Sequence, residues 1–531
     1  MSGPGPGTGP LPVARAERAR RWVLTATILA SSMAFIDTSV INVALPSIQS
    51  HLAAPVSQAQ WTVNAYGLML GALILVGGAA GDHLGRRRIC ITGILLFTGA
   101  SVACGLAPTA AFLIVVRATQ GIGGALLVPS SLAIISATFP ADERGRAIGT
   151  WAGASALTTA FGPLLGGWLV DTWSWRAIFF VNVPIALVAL LLVIRWVPES
   201  RNELSTGVDW RGGVLAVVGL GLLVYGLTVA SSTGWAHRSA LGSLIAGVLV
   251  LLMLLWWEAR ATSPMLPLSL FRSSTFSGAN AITLLLYFAL GGQLFFVPFD
   301  LINIQGYTAT GAGAAFLPFS LMMAALSRWS GGLNERYGAR LLLIVGPLIA
   351  AGGLTLFAIP TIGGSYWATF FPAMIVLGFG MTLSVAPLTT TVMSAVEDQY
   401  AGAASGINNA TARIAGMLAV ALLGAVAAGV FKGALDRRLE NLQMPAVIRQ
   451  ALLSEVQKLA EASPPPQADS ATRKTLQRAL DEAFVSSFRV TTLIAALAAL
   501  LSAACAWLTI EQPPARATPT NLRGIDAPTS N

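Results

Sequence analysis

The sequence predicts an all-α membrane protein with about fourteen spanning helices, and three observations carry that prediction. Charged residues make up only 10% of the 531 and apolar residues 55%, whereas ordinary soluble domains carry about 25% charge. Apolar stretches long enough to cross the ~30 Å hydrocarbon core, which takes about 20 helical residues, recur along most of the chain. Arginines gather in alternate loops between those stretches, as positive-inside topology requires. A soluble enzyme is excluded.

Residues 1–14, rich in Gly and Pro, are expected to form a disordered tail. Span 22–45 follows; it is too long, and too polar at its far end, for a cleaved signal peptide. Hydropathy then places spans at 61–81, 89–106, 109–132, 147–170 and 177–194, completing a group of six. An intervening pair lies at 212–230 and 241–257. A second group of six lies at 276–299, 308–326, 341–359, 366–388, 407–431 and 490–510. The expected division is a cytoplasmic tail (1–21), a first bundle (22–196), a linker with two extra spans (197–272), a second bundle (273–510) and a second cytoplasmic tail (511–531). Arg18, Arg20 and Arg21 precede the first span, Arg86, Arg87 and Arg88 follow the second, and Arg144, Arg195, Arg211, Arg260, Arg336 and Arg340 continue the alternation. Loop 47–60 carries no arginine. Both termini should therefore be cytoplasmic.

The long polar stretch 432–489 falls outside by the same count. Leu452, Val456 and Leu459 share one helical face, as do Leu476, Leu480 and Phe484, with Pro464, Pro465 and Pro466 between. An external helical hairpin over the second bundle, or a solvated linker, fits this pattern.

The two groups of six are related. Gly78, Asp82, Gly85 and Arg87 reappear at identical spacing as Gly331, Glu335, Gly338 and Arg340, after the second span of each group. Two parallel six-helix halves are a common transporter plan.

Cys90, Cys104 and Cys505 lie singly in apolar runs, and His51, His83 and His237 are scattered, so no metal constellation is expected. No Walker-type sequence is present to bind ATP. The formal charge of +9 is distributed over short loops and does not form the basic face that nucleic acid requires. The coupling agent is expected to be an ion gradient, with no bound cofactor.

Six stretches stand out in order: IDTSVINVALP at 36–46, GAAGDHLGRRRI at 78–89, RATQGIGG at 117–124, GASALTTAFGPLLGG at 153–167, WRAIFFVNVP at 175–184 and EARATSPMLPLSLF at 258–271. Together they resemble the signatures of the major facilitator superfamily, and within it the fourteen-span drug:proton antiporter branch of EmrB/QacA-like multidrug exporters. The resemblance implies the major facilitator fold, two six-helix bundles plus two extra linker spans.

Asp37 and Arg117 are the chemical centre of the expected site. Asp37 lies fifteen residues along the first span, about 22 Å up, and Arg117 eight residues down the fourth, about 12 Å from the opposite side, so both reach similar depth. Charges inside a membrane face the interior and find partners. Burial disfavours a charged carboxylate and a guanidinium favours it, so a conformational change or a cationic substrate can move its proton. The pair is either a proton-coupling device or a permanent ion pair that holds helices together.

Gly78, Asp82, Gly85, Arg86 and Arg87, with Glu335, Arg336, Gly338 and Arg340, are expected to form a cytoplasmic gate, on the resemblance; the alternative is a pair of solvated turns. His83 departs from the family, which usually has arginine there. Gly153, Gly162, Gly166 and Gly167 bare one face of the fifth span for close approach, and Pro163 bends it. The resemblance makes this the antiporter motif that seals against the other bundle, with plain close packing as the alternative. Asn42, Asn64, Tyr66, Asn280 and Gln293 either line a cavity or bond helix to helix, and Asp300 stands at the outer mouth. Arg413 and Arg176 read as structural anchors.

The expected protein is a multi-pass transporter of the bacterial inner membrane. It would act as a monomer and exchange protons for small amphipathic drugs or antibiotics, cations among them. Export of a dedicated metabolite or lipid, or a non-transporting receptor role, are the alternatives.

Overall fold

The computed structural model describes residues 13–201, 207–397, 400–440, 448, 452, 456–465 and 468–511. Of the expected tails, 1–21 and 511–531, residues 1–12 and 512–531 lie outside it. The described residues fold into fourteen long helical units: α1 (Val13–His51), α2 (Val56–Leu84), α3 (Arg86–Gly105), α4 (Ala110–Thr138), α5 (Ala141–Thr172), α6 (Ala177–Trp196), α7 (Trp210–Thr233) and α8 (Arg238–Glu258). The second series is α9 (Ser274–Phe299, continued by a π-turn at Asp300–Ile304), α10 (Ala309–Ala314 and Leu317–Tyr337), α11 (Ala339–Phe357), α12 (Phe370–Ser394), α13 (Ala401–Leu439) and α14 (Ser470–Thr509). Among the described residues, thirteen helices are long and apolar enough to cross a membrane. Helix α5 is outside that set because Gly, Ser and Thr run through it, yet its 32 residues suffice to cross and it packs along α1 and α10.

Helix α1 begins at Val13, nine residues before the expected span, because Ala, Glu and Arg in this stretch are strong helix formers. Its Arg20 reaches Glu143, in the first turn of α5, at 2.7 Å. The α2–α3 turn, the end of α6 and the start of α1 thus share one surface, here termed the basic face; the opposite surface is the far face.

Helices α1 to α6 pack on one another, as do α9 to α14, while α7 and α8 form a hairpin whose α7 lies against α2 and α13, over the seam between the halves. The repeat seen in the sequence is repeated in space. Gly85 (φ 113°) and Gly338 (φ 79°) occupy the left-handed region that admits the tight turn. Arg87 donates to the Ile194 carbonyl at 2.7 Å and Arg340 to the Trp507 carbonyl at 2.7 Å. In each half the same arginine thus ties the third helix to the end of the sixth.

The apolar core shows how the halves meet. Toward the far face a single buried cluster joins them, including Ile41, Leu45 and Ile178 of the first half and Phe295, Phe357, Phe431 and Phe484 of the second. Toward the basic face the cores are separate, one around Phe97, Ile94 and Val193 and the other around Phe276, Leu343 and Ala506. The two bundles are fused on the far side and are also joined along α2 and α13 by a cluster that includes Leu68, Ala72, Met417 and Ala421; elsewhere on the basic side their cores are separate.

Part of the expected hairpin at 432–489 lies outside the described residues. The arm with Leu476, Leu480 and Phe484 is not a separate helix but the opening turns of α14, whose buried apolar stripe continues without a break into the span. The first arm ends in a 3₁₀ turn, Val456–Glu461, with Leu459 buried and the Lys458 carbonyl accepting from Gln49 of α1 at 3.1 Å. The segment therefore bridges both halves on the far face.

Burial pushes the Glu461 carboxyl up to about 7, against the lowering influence of Asn303 and Lys458. A carboxyl raised on docking binds protons in the docked state, so docking is fully supported below the free value of about 4.5 and is weakened as pH rises through about 7. Hydrogen exchange over residues 456–462, corrected for intrinsic rates, should show protection falling across that window, and Glu461→Gln should flatten the dependence. Equal protection at both ends of the window in the unaltered protein would contradict this.

Candidate functional site

Asp37 of α1 and Arg117 of α4 are 1% and 0% exposed, and the structure brings them together. Arg117 Nη1 lies 2.5 Å from Asp37 Oδ2 and 2.8 Å from Gln120 Oε1, while Gln120 Nε2 donates to Asp37 Oδ1 at 2.9 Å. The three side chains close a ring. Arg117 and Gln120 share one face of α4 because they are three residues apart, and Arg117 Nε donates to the Thr62 carbonyl of α2 at 3.1 Å. The Tyr66 and Phe179 rings lie 4.3 and 5.9 Å from the guanidinium, an arrangement that favours a desolvated cation. Arg117 Nη2 remains buried without a partner.

Both Asp37 oxygens act as acceptors. A proton on either would set a donor against a donor and open the ring, so the closed ring suits the carboxylate. Gln120 was not anticipated; its only sequence signal is a polar group one helical turn from Arg117.

The same helix presents its other side to a cavity. Thr38, Ser39, Asn42 and Val43 of α1 line a space of about 130 Å³ with Thr159 and Pro163 of α5, Leu294 of α9, and Phe316, Phe319 and Ser320 of α10. At 100° per residue these four α1 positions centre about 170° from Asp37. The acid and the cavity are back to back.

Other expected residues separate into groups. Asn42 lines the cavity. Asn64 is buried with both amide atoms unpaired, and Tyr66 donates to the Ala34 carbonyl at 3.4 Å. Asn280 meets Asn408 of α13, and Gln293 accepts from Thr492 of α14, so both bond helices within the second half. Asp300 is buried in the π-turn, where Gln305 donates to it at 3.3 Å. Asp82 pairs with Arg86 of its own turn at 2.7 Å. Arg336 stacks on its neighbour Tyr337, and the side chain of Glu335 is outside the described residues. Gly78 faces Pro129.

Glycines of α5 divide by depth. Gly153, toward the basic face, has open space before it, whereas Gly162 and Gly166 bear on Ser39 and Val40 of α1. Gly167 meets the backbone of Ala309, and Gly313 of α10 meets the Pro163 carbonyl. Beside this contact Asp171, unforeseen from sequence, accepts from the Ala309 and Thr310 amides at 3.1 and 2.7 Å. The acid caps the N-terminus of α10 across the seam, where a negative charge is favourable. The far side is closed by backbone contact and by this cap.

Removing the cap or filling the contact should loosen that closure. With Cys90, Cys104 and Cys505 replaced by serine, a Ser320→Cys reporter in the cavity should react several-fold faster with an impermeant thiol reagent on the far face once Asp171→Ala or Gly313→Val is added. Unchanged labelling in both would show that neither contact holds the seam.

Comparison with known proteins agrees with this architecture. A family model described as Major Facilitator Superfamily matches residues 27–420. The chain is 36% identical to "Multidrug resistance protein Stp" of Mycobacterium tuberculosis, over 83% of this chain and 81% of that protein. It is 32% identical to the "Tetracenomycin C resistance and export protein" of Streptomyces glaucescens, over 94% of each. Among solved structures, a bacterial homolog of the human lysosomal transporter Spinster superposes with a TM-score of 0.65 at 18% identity, covering 92% of this chain and 96% of that one. The chain belongs to the major facilitator superfamily and is a multi-pass membrane transporter, not an enzyme.

Proposed function

We propose that the protein exports small amphipathic drugs or antibiotics across the bacterial inner membrane in exchange for protons, acting as a monomer with both termini in the cytoplasm. The observation that carries this reading is the fully buried ring of Asp37, Arg117 and Gln120 on the back of a cavity-lining helix. The names of the related resistance and export proteins support the substrate class. The arginines of the basic face support the orientation, since positive charge is retained on the cytoplasmic side.

In this scheme the closed ring, with the bundles diverging on the cytoplasmic side, is the state that takes up substrate. Rocking exposes the cavity outside. A proton reaching Asp37 there replaces an acceptor by a donor, opens the ring and favours the return, after which the proton leaves to the cytoplasm. Substrate and proton each favour a different state, and that difference couples them. The divergence of the two cores around Asp82 and Arg86 fits a cytoplasmic gate that is unlatched in this state, with the acid held by its own turn.

Efflux from proteoliposomes under an imposed pH gradient tests the scheme with a panel of cationic, neutral and anionic amphipathic dyes. The unaltered protein should concentrate at least one dye and dissipate the gradient as it does so. Asp37→Asn should abolish both while binding that dye within about threefold of normal. Gradient-driven efflux that persists at full rate in Asp37→Asn would remove the acid from the mechanism.

A further inference from the structure

Arg413 sits near the middle of α13, twelve residues from its start, at about 18 Å along the helix. Its Cβ is 3.4 Å from the position a side chain would take at Gly71 of α2. Its electrostatic neighbours are the phenols of Tyr66 on α2 and Tyr287 on α9. Its Nε is buried without a hydrogen-bond partner, and among the described residues no carboxylate pairs with it. An unpaired guanidinium at this depth costs several kcal/mol, and such residues normally serve a ligand or ion pathway. A structural anchor would have been given a partner, as Arg117 was.

The location follows from α9. Tyr287 and Leu294 are seven residues apart and lie on one helical face, and Leu294 lines the cavity. Tyr287 therefore faces the same space between the halves, about 10 Å nearer the open, basic side. Arg413 remains partly accessible there. No carboxylate lines the cavity, whose walls combine hydroxyls with Phe316 and Phe319, and Asp37 is sealed on the other side of α1 with its charge matched by Arg117. Among the described residues, the unpartnered charge next to this space is the positive one of Arg413.

We propose that Arg413 receives an ionised acidic oxygen, carboxylate or phenolate, of an aromatic substrate whose ring system lies deeper, against Phe316 and Phe319. The rise of about 10 Å from Leu294 to Tyr287 along α9 suits a compound of two or three fused rings carrying its acid at one end. The sequence alone pointed toward cations, because Asp37 is an acid; in the folded protein that acid does not face the substrate space.

The inference rests on the export reading and is tested in the same proteoliposomes with two probes of matched shape, anthracene-2-carboxylate and 2-(aminomethyl)anthracene. The unaltered protein should move the carboxylate at least about tenfold faster than the amine. Arg413→Gln should bring that ratio to about one, and Arg413→Lys, which keeps the charge and loses the fork, should restore an intermediate ratio. An amine preference in the unaltered protein, or an equal loss for both probes in Arg413→Gln, overturns the proposal, the second outcome marking Arg413 as a structural residue. If other dyes of the panel are exported but neither anthracene is, this inference fails and the export reading stands. If no dye moves, both fail.

Discussion

A charge in a lipid environment must be matched within the protein, and in the first half one ring of side chains does the matching. Arg117 brings its guanidinium to Asp37, Gln120 and the Thr62 carbonyl, so α1, α2 and α4 are held by a single group. The aromatic rings of Tyr66 and Phe179 close the site from two sides. The position of α1 is thereby set by polar chemistry on its back, while its front forms the cavity wall.

The halves share a plan but not a burden. Arg87 and Arg340 make the same carbonyl contact, and Gly85 and Gly338 make the same turn, so each bundle is a rigid unit closed by its own sixth helix. Between the bundles the cohesion is greatest on the far face, with α2 and α13 also in contact along the seam. The far face joins them through a continuous apolar core, the backbone approach of α5 and α10, and the Asp171 cap. The basic face has two separate cores. Two rigid bodies fused at one edge can rock about the membrane midplane, and the contacts that must part in doing so are few and identifiable.

The sequence was legible wherever the membrane itself dictates the answer. Spans follow from length and apolarity, and the repeat from matched Gly, acid and Arg spacing. The meeting of Asp37 with Arg117 follows from matching depth, because rise per residue converts position into height, together with the need of charges inside a membrane to find partners. What depth does not specify is rotation about the helix axis. That is why Asn42 and Asn280 looked alike in sequence, although one lines the cavity and the other bonds α13. Asp171 escaped notice for a different reason: an acid at a helix end is ordinary until the N-terminus of a helix from the other half is found beside it. The opening turns of α14 were read as a separate arm because polar residues interrupt the hydropathy, whereas the buried stripe of Leu476, Leu480 and Phe484 carries the helix through.

Magnitudes decide whether the ring is large enough to matter. Inverting a two-state population from 1:99 to 99:1 requires a differential of about 5.5 kcal/mol. Depriving a buried ion pair of one charge costs about 3–5 kcal/mol, because the remaining charge is left uncompensated. Protonating Asp37 does that to Arg117, whose Nη2 already lacks a partner, and it also turns one acceptor of the Gln120 contact or the Arg117 contact into a donor. The two quantities are of the same order. A single proton at this ring can therefore bias the position of α1 by nearly the amount that alternating access demands, whereas an exposed acid such as one of a solvated turn, worth about 0–1 kcal/mol in its pairings, could not. In the proposed scheme burial is what would make the acid effective, and the back-to-back arrangement on α1 would carry its effect to the cavity without the proton and the substrate sharing a site.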